Sequence, residues 1–277
     1  LKLHVLHFNH QLRPEAGHEQ AFVKSLAEQY KIPFHFKTAK HLKPGQAGLQ
    51  ESAREWRIEE SIKMLKNIGA DCIATGHHAD DQTETLLLKW LRGAHISNLQ
   101  GMLWKNPPFI RPLLNCRKKE LMQYLKSNNF SWMEDSTNLS SSYLRNRVRM
   151  ELIPLLNELT REGLDSRISD LNEQSSLLRE WLDKEYAEWE IAARSSESKY
   201  DYTISLDELN KANRSLQEEI IYKFISKQTN MELSYNNLRN IFELLLSENK
   251  HWEYHLSEEW KLVNSGNELS LQNKPES

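Results

Sequence analysis

The chain has 277 residues and a mass of 32.6 kDa, room for two domains of roughly 100–200 residues each. With 39% apolar and 27% charged residues it is too balanced for a disordered chain, and no apolar run approaches the roughly 20 residues of a membrane span. Its two cysteines, Cys72 and Cys116, form no C-x-x-C pair. That excludes a disulfide framework and a cysteine-based zinc or iron–sulfur site, and makes a soluble protein of a reducing compartment the expectation. The net charge of −3 conceals a local asymmetry. Residues 111–149 carry eight Lys/Arg against three acids, whereas residues 150–210 carry fifteen acids against six bases. Such a division suits one face built for a polyanion and another kept clear of it.

Taken in chain order, Leu1–Phe8 reads as a strand that begins without a lead-in, and the first residue is not Met. The expectation is a chain cut at its N-terminus. Helical periodicity covers Glu19–Tyr30, and Pro33–Lys37 reads as a short strand. A long helix follows over Leu49–Ile68, stopped by Gly69 just past its end. Asp71–Thr75 is a short apolar strand, and a helix over Asp80–Leu91 ends at Gly93. Strands alternating with helical crossovers predict an α/β domain built on a parallel sheet covered on both faces. Lys118–Asn128 is an amphipathic helix. Trp132–Arg149 is a polar loop that enters a helix near Arg145–Asn157, and one long helix is expected from there to about Ala193. Residues 200–277 read as a small α+β unit: a strand over Tyr200–Leu206, a short helix that Asp207 could cap, helices over Ser215–Lys227 and Ser234–Leu246 with serine N-caps, and strands over Glu253–Leu256, Trp260–Asn264 and Glu268–Leu271. Ser265-Gly266-Asn267 turns the last strand pair. The expected domains are therefore 1–157, a helical linker 158–199, and 200–277.

The densest chemistry lies in Cys72-Ile-Ala-Thr-Gly-His-His-Ala-Asp-Asp-Gln-Thr-Glu-Thr85. An apolar strand runs into Gly76 and polar residues open a helix, at the strand end where α/β sheets bind ligands. Asp81 and Glu84, three residues apart, share a face of the first helical turn. They form a candidate receptor for an ammonium or for hydrated Mg²⁺; the plainer alternative is that these acids only favour the helix N-terminus. His7, His10, His77 and His78 invite a metal reading, but their spacing is poor for zinc and nucleotide-contacting or structural histidines fit better. The metal content stays open. Further on, Arg145, Arg147 and Arg149 with Asn146 form a candidate phosphate-reading element behind the loop Glu134–Asn138. In a helix, 145 and 149 share a face and 147 points away from it.

Four strings stand together: His7-Phe-Asn-His-Gln-Leu-Arg13, Gly76-His-His-Ala-Asp-Asp-Gln-Thr-Glu-Thr85, Arg111-Pro-Leu-Leu114, and Glu134-Asp-Ser-Thr-Asn138 with Arg145-Asn-Arg-Val-Arg149. Their order and spacing resemble the tRNA(Ile)-lysidine synthetases, which are PP-loop ATP-pyrophosphatase-fold enzymes. The likeness is close over 1–157 and looser over 158–277. It implies a parallel-sheet PP-loop domain, a helical linker and a small substrate-binding domain. It also implies a ligase in which ATP adenylates the wobble cytidine of a minor isoleucine tRNA and the ε-amine of L-lysine displaces AMP from carbon 2. On this reading Asp81 and Glu84 bind lysine, and Asp81 and Arg145 are catalytic. His7, His10, His77 and Arg111 contact the nucleotide, and Arg147, Arg149, Lys118 and Lys119 touch tRNA. ATP and Mg²⁺ are the implied cofactors. The implied protein is cytoplasmic, with a plastid as second choice, and a homodimer is an option. The family's S-G-G-x-D-S phosphate loop is absent from these residues, so weakened ATP affinity of the chain is expected. Ile58 replaces the family's usual tyrosine after Arg54 and Arg57. The competing readings are another PP-loop enzyme, such as a tRNA thiolase, and a non-catalytic tRNA-binding fragment.

Overall fold

The computed structural model describes the chain apart from residues 13–14, 44, 47, 96–97, 134–143, 162, 195–202, 230, 232 and 274–277. The loop Glu134–Asn138, the expected strand start at Tyr200 and the end of the tail therefore lie outside the described residues. The chain forms two compact units, Leu1–Ala79 with Leu103–Thr137, and Asp80–Met102 with Asn138–Ser277. The division differs from the expected boundary at residue 157, because the segment 80–102 makes its contacts with the C-terminal half.

In the first unit, β1 (Val5–Asn9) pairs in parallel with β2 (Phe34–Thr38), in register from Val5↔Phe34 to Asn9↔Thr38, through the crossover helix α1 (Ala16–Gln29). The helix α2 (Leu49–Ile68) and the two-residue β3 (Ile73–Ala74) follow. The chain then passes through α3 (Ala79–Leu91) and returns with β4 (Lys105–Asn106), β5 (Phe109–Ile110) and α4 (Lys118–Ser127). β5 lies parallel to β3 and antiparallel to β4. The β4–β5 hairpin is absent from the sequence reading, since two residues on each side of Pro107-Pro108 are too few to display an alternation. Around Trp56 of α2, the rings of Phe8, His10 and His41 stand edge-on at 5.4–6.0 Å. Asn9 fixes the turn beyond β1: its Nδ2 donates to Gln20 and its Oδ1 accepts from the Gln11 amide.

The second unit carries α3, then α5 (Leu144–Arg147), a π-helical turn over Val148–Leu152 and α6 (Ile153–Leu159) as one continuous helical stretch. Leu87 and Leu88 of α3 pack on Val148, with Leu152, Ile153 and Leu156 around them. The expected single long helix is broken. The Thr160 amide closes on Leu156, Arg161 takes a φ of 51°, and α7 starts afresh as Leu164–Arg194. On α7, Ser175 and Leu182 are buried, whereas Leu171 is exposed.

The C-terminal part is β6 (Thr203–Ser205), α8 (Leu206–Lys211), α9 (Arg214–Thr229), α10 (Tyr235–Leu245), β7 (His251–His255), β8 (Trp260–Ser265) and β9 (Glu268–Asn273). The four strands form an antiparallel sheet in the order β6-β9-β8-β7. Its apolar side meets α9 and α10 in the largest core cluster, where Ile220, Ile221, Ile225, Leu238, Ile241, Leu262 and Leu269 are almost wholly enclosed. Ser234 caps α10 as expected. At α9 the cap is Asn213, whose Oδ1 accepts from the Leu216 amide, and not Ser215. α8 begins after Ser205 without a side-chain cap, so Asp207 lies inside it.

Gly69 closes α2 in the left-handed region at φ 63°, which lets the Ala70 amide reach back to Leu65. A Cβ at this φ costs roughly 1–2 kcal/mol. Gly69→Ala should therefore lower the unfolding free energy in urea by about 1 kcal/mol. Gly17→Ala, where a Cβ meets nothing within 4 Å and φ is ordinary, should leave it unchanged or slightly higher.

Candidate active site

Glu84 is 1% exposed, and a lone carboxylate there would be costly. It is met by two guanidiniums. Arg145 Nε donates to Oε2 at 2.8 Å, and Arg149 donates from Nε to Oε1 at 2.5 Å and from Nη2 to Oε2 at 3.1 Å. Asp81, one turn earlier on α3, stands 3.4 Å from Arg145 Nη2 and 3.9 Å from Arg149 Nη2. The ion pair raises the Arg149 pKa, chiefly through the bond to Glu84. The helical stretch after Leu144 explains the selection: 145 and 149 project to one side, whereas Arg147 turns to the surface and pairs with Glu151 at 3.0 Å. Arg145 keeps nearly half of its side chain in water.

This geometry revises two expectations. Asp81 and Glu84 are not a matched pair of open carboxylates; Glu84 is occupied with both arginines and only Asp81 remains at the edge of the cluster. Arg149, expected on tRNA, is held on Glu84. The sequence pattern could not separate the two acids, since burial and not spacing decides which is enclosed. Within the first unit, Lys118 and Lys119 are exposed in the first turn of α4.

The expected nucleotide residues all belong to the first unit. His77 Nδ1 lies 2.8 Å from Thr75 Oγ1. His10 rests edge-on against Trp56 at 5.4 Å. His7 lies over Phe34, and burial pushes its imidazole below its ordinary 6.5, with Glu19 opposing. Arg111 donates from Nη1 to the Leu103 carbonyl at 2.7 Å, while its buried Nε has no hydrogen-bond partner. Burial, and then the like charge of Arg54, disfavour the charged forms of both Arg111 and Arg57. Arg54 and Arg57, one turn apart on α2, had not been singled out as site residues, though their spacing alone puts them on one helix face. Two disfavoured cations, one with a buried donor that has no partner among the described residues, suit an anion. Among the described residues no three or more His, Cys, Asp or Glu side chains group to hold a metal.

A family model described as a PP-loop domain matches residues 1–156. The chain belongs to the PP-loop family. Within it, the chain is 30% identical over 282 residues to a tRNA(Ile)-lysidine synthase of Enterococcus faecalis, covering 99% of this chain and 60% of that protein. It is 30% identical over 283 residues to the tRNA(Ile)-lysidine synthase of Geobacter sulfurreducens, covering 98% of this chain and 59% of that one. The chain thus spans about three fifths of the length of these two family relatives. The U34-tRNA thiolase NcsA from Methanococcus maripaludis, solved with its [4Fe-4S] cluster, superposes with a TM-score of 0.51 at 16% identity, over 63% of this chain and 60% of that one. That likeness is one of fold. In this PP-loop chain Cys72 is exposed, Cys116 is half-buried, and both are free thiols.

Two outcomes check this geometry. Glu84→Ala should cost about 1.5–3 kcal/mol in urea unfolding, the range for hydrogen bonds to charged groups, whereas Arg147→Ala should leave the unfolding midpoint in place. His7, with its pKa depressed in the folded state, binds fewer protons there than in the unfolded chain. Its contribution to stability is present above pH 6.5 and is lost as pH falls below that value. An NMR titration of the His7 ring should therefore show a midpoint below 6.5.

Proposed function

We propose that the protein carrying this chain is an ATP-dependent tRNA-modifying ligase, one that joins L-lysine to carbon 2 of the wobble cytidine of a minor isoleucine tRNA. The observation that supports this furthest is the cluster in which one enclosed carboxylate, Glu84, orients two guanidiniums beside a second carboxylate, Asp81. The PP-loop match and the lysidine synthase relatives supply the reaction class. On this reading, residues 1–157 serve catalysis, 158–199 form a linker and 200–277 bind substrate.

The reaction needs two displacements. The cytidine O2 attacks the α-phosphorus of ATP, an O–P bond forms and pyrophosphate leaves. The lysine ε-nitrogen then attacks carbon 2, a C–N bond forms, the C–O bond breaks and AMP leaves with the electron pair. The ε-amine arrives as a cation and must lose a proton before it attacks. Asp81 suits both needs, attracting the ammonium and standing ready as proton acceptor. Arg145, half-exposed, suits the phosphate charge that builds on the leaving AMP. Glu84 and Arg149 act through Arg145 as positioning residues. Arg54, Arg57 and Arg111 suit the polyphosphate, and His7, His10 and His77 the rest of the nucleotide. Arg147, Lys118 and Lys119 are left for tRNA backbone contact.

In the whole protein, Asp81→Asn should raise KM for lysine and spare the ATP-dependent adenylation of tRNA, read as pyrophosphate release. Equal loss in both steps would remove Asp81 from lysine binding. Arg145→Ala should lower kcat by about 10²–10³, the scale for one oriented charge donor. Arg147→Ala should keep kcat and flatten the salt dependence of tRNA binding by about one unit. A wild-type kcat in Arg145→Ala would reduce the arginines to a solvated basic face.

A further inference from the structure

The sheet of the C-terminal part presents its inward face as rows of side chains across the strands. One row runs Ile204, Leu269, Asn264, Trp252. Asn264 is the exception among apolar neighbours, and it is 5% exposed. Its Oδ1 accepts from the Gly266 amide at 2.8 Å and so holds the β8–β9 turn. Its Nδ2 makes no hydrogen bond among the described residues. The turn occupies one end of this amide, and the donor end is left to the cavity that Asn264 lines.

Asn264 lines a cavity of about 210 Å³ together with Leu209, Asp207, Arg214, Phe242 and Lys250. Arg214 is built into the wall as a flat plate. Its guanidinium carbon lies 3.4 Å from the Phe242 ring centroid, and Nε donates to Glu218 at 2.9 Å. One face of the guanidinium covers the ring, and stacking on such a plate is a recurring way to hold an unpaired nucleobase. Leu209 adds apolar wall, the Asn264 amide and the Asp207 carboxylate offer a donor and an acceptor for a base edge, and Lys250 adds a cation for a phosphate. At about 30 Å³ per water the cavity is worth about seven waters, below the 300–1,000 Å³ of pockets for drug-sized ligands.

We propose that this cavity binds one unstacked nucleotide, its base against the Arg214–Phe242 plate and its edge read by Asn264 and Asp207. The source is a single-stranded position of the RNA substrate; for that source alone the proposal rests on the RNA-modifying function above.

The test is fluorescence anisotropy with the full chain and a labelled, unstructured ten-nucleotide RNA, with the same sequence as a duplex and free 5′-GMP as competitors. Asn264→Asp keeps the bond to Gly266 and removes the free donor, and Lys250→Glu changes an exposed residue. Each should weaken binding of the single strand by about tenfold, the scale of one stacked and bonded base. Duplex binding should change far less, and the Lys250→Glu unfolding midpoint should match wild type. Single-strand affinity well above that for 5′-GMP assigns the base to RNA, and the reverse assigns it to a free nucleotide. Wild-type affinity in both variants, or equal binding of single strand and duplex, overturns the proposal. Failure of lysine ligation with this binding intact would count against the enzymatic reading alone.

Discussion

Enclosing a carboxylate away from water costs several kcal/mol unless cations meet it with good geometry, and Glu84 is enclosed almost completely. Its two oxygens dictate where Arg145 and Arg149 must be. Those two arginines in turn set how the helical stretch from Leu144 to Leu159 lies along α3. The apolar contact of Leu87 and Leu88 with Val148 follows from the same alignment. A charge cluster so constrained is a poor way to gain stability and a good way to fix orientation, since any slip of one turn would leave a buried charge without its partner.

Two arginine groups, one in each compact unit, illustrate opposite uses of the same side chain. Arg145 and Arg149 are satisfied by carboxylates within the chain. Arg57 and Arg111 are disfavoured as cations by burial and by the like charge of Arg54, which itself pairs with Glu51.

Much of the fold was legible in the residues. Gly69 and Gly93 mark helix ends because the left-handed conformation there suits glycine, and both have positive φ. The alternation in 260–273 gave a hairpin because one face is buried. Legibility failed where the deciding force is tertiary. The break between α6 and α7 has no proline to announce it, and the β4–β5 hairpin is too short to alternate. In the site, the Asp81/Glu84 spacing and the shared side of 145 and 149 could be read, but which acid is enclosed depends on Val148 and its neighbours packing over α3. Asn213 caps α9 one residue before it begins, where Ser215 looked equally suitable.

The segment after α3 ties the two ends of the second unit together. The Tyr235 amide bonds to the Gly93 carbonyl, and Ala94 bridges Ser234. His95 lies between the rings of Tyr222 and Tyr235, with Nε2 3.2 Å from Glu218. The helix that bears Asp81 and Glu84 is thus anchored at its far end to residues more than a hundred positions away. In consequence the PP-loop match does not mark a separable module. Cutting the gene after residue 156, where the family match ends, would strip α3 of its downstream anchor, so shuffling or grafting of this PP-loop domain has to carry the C-terminal part with it.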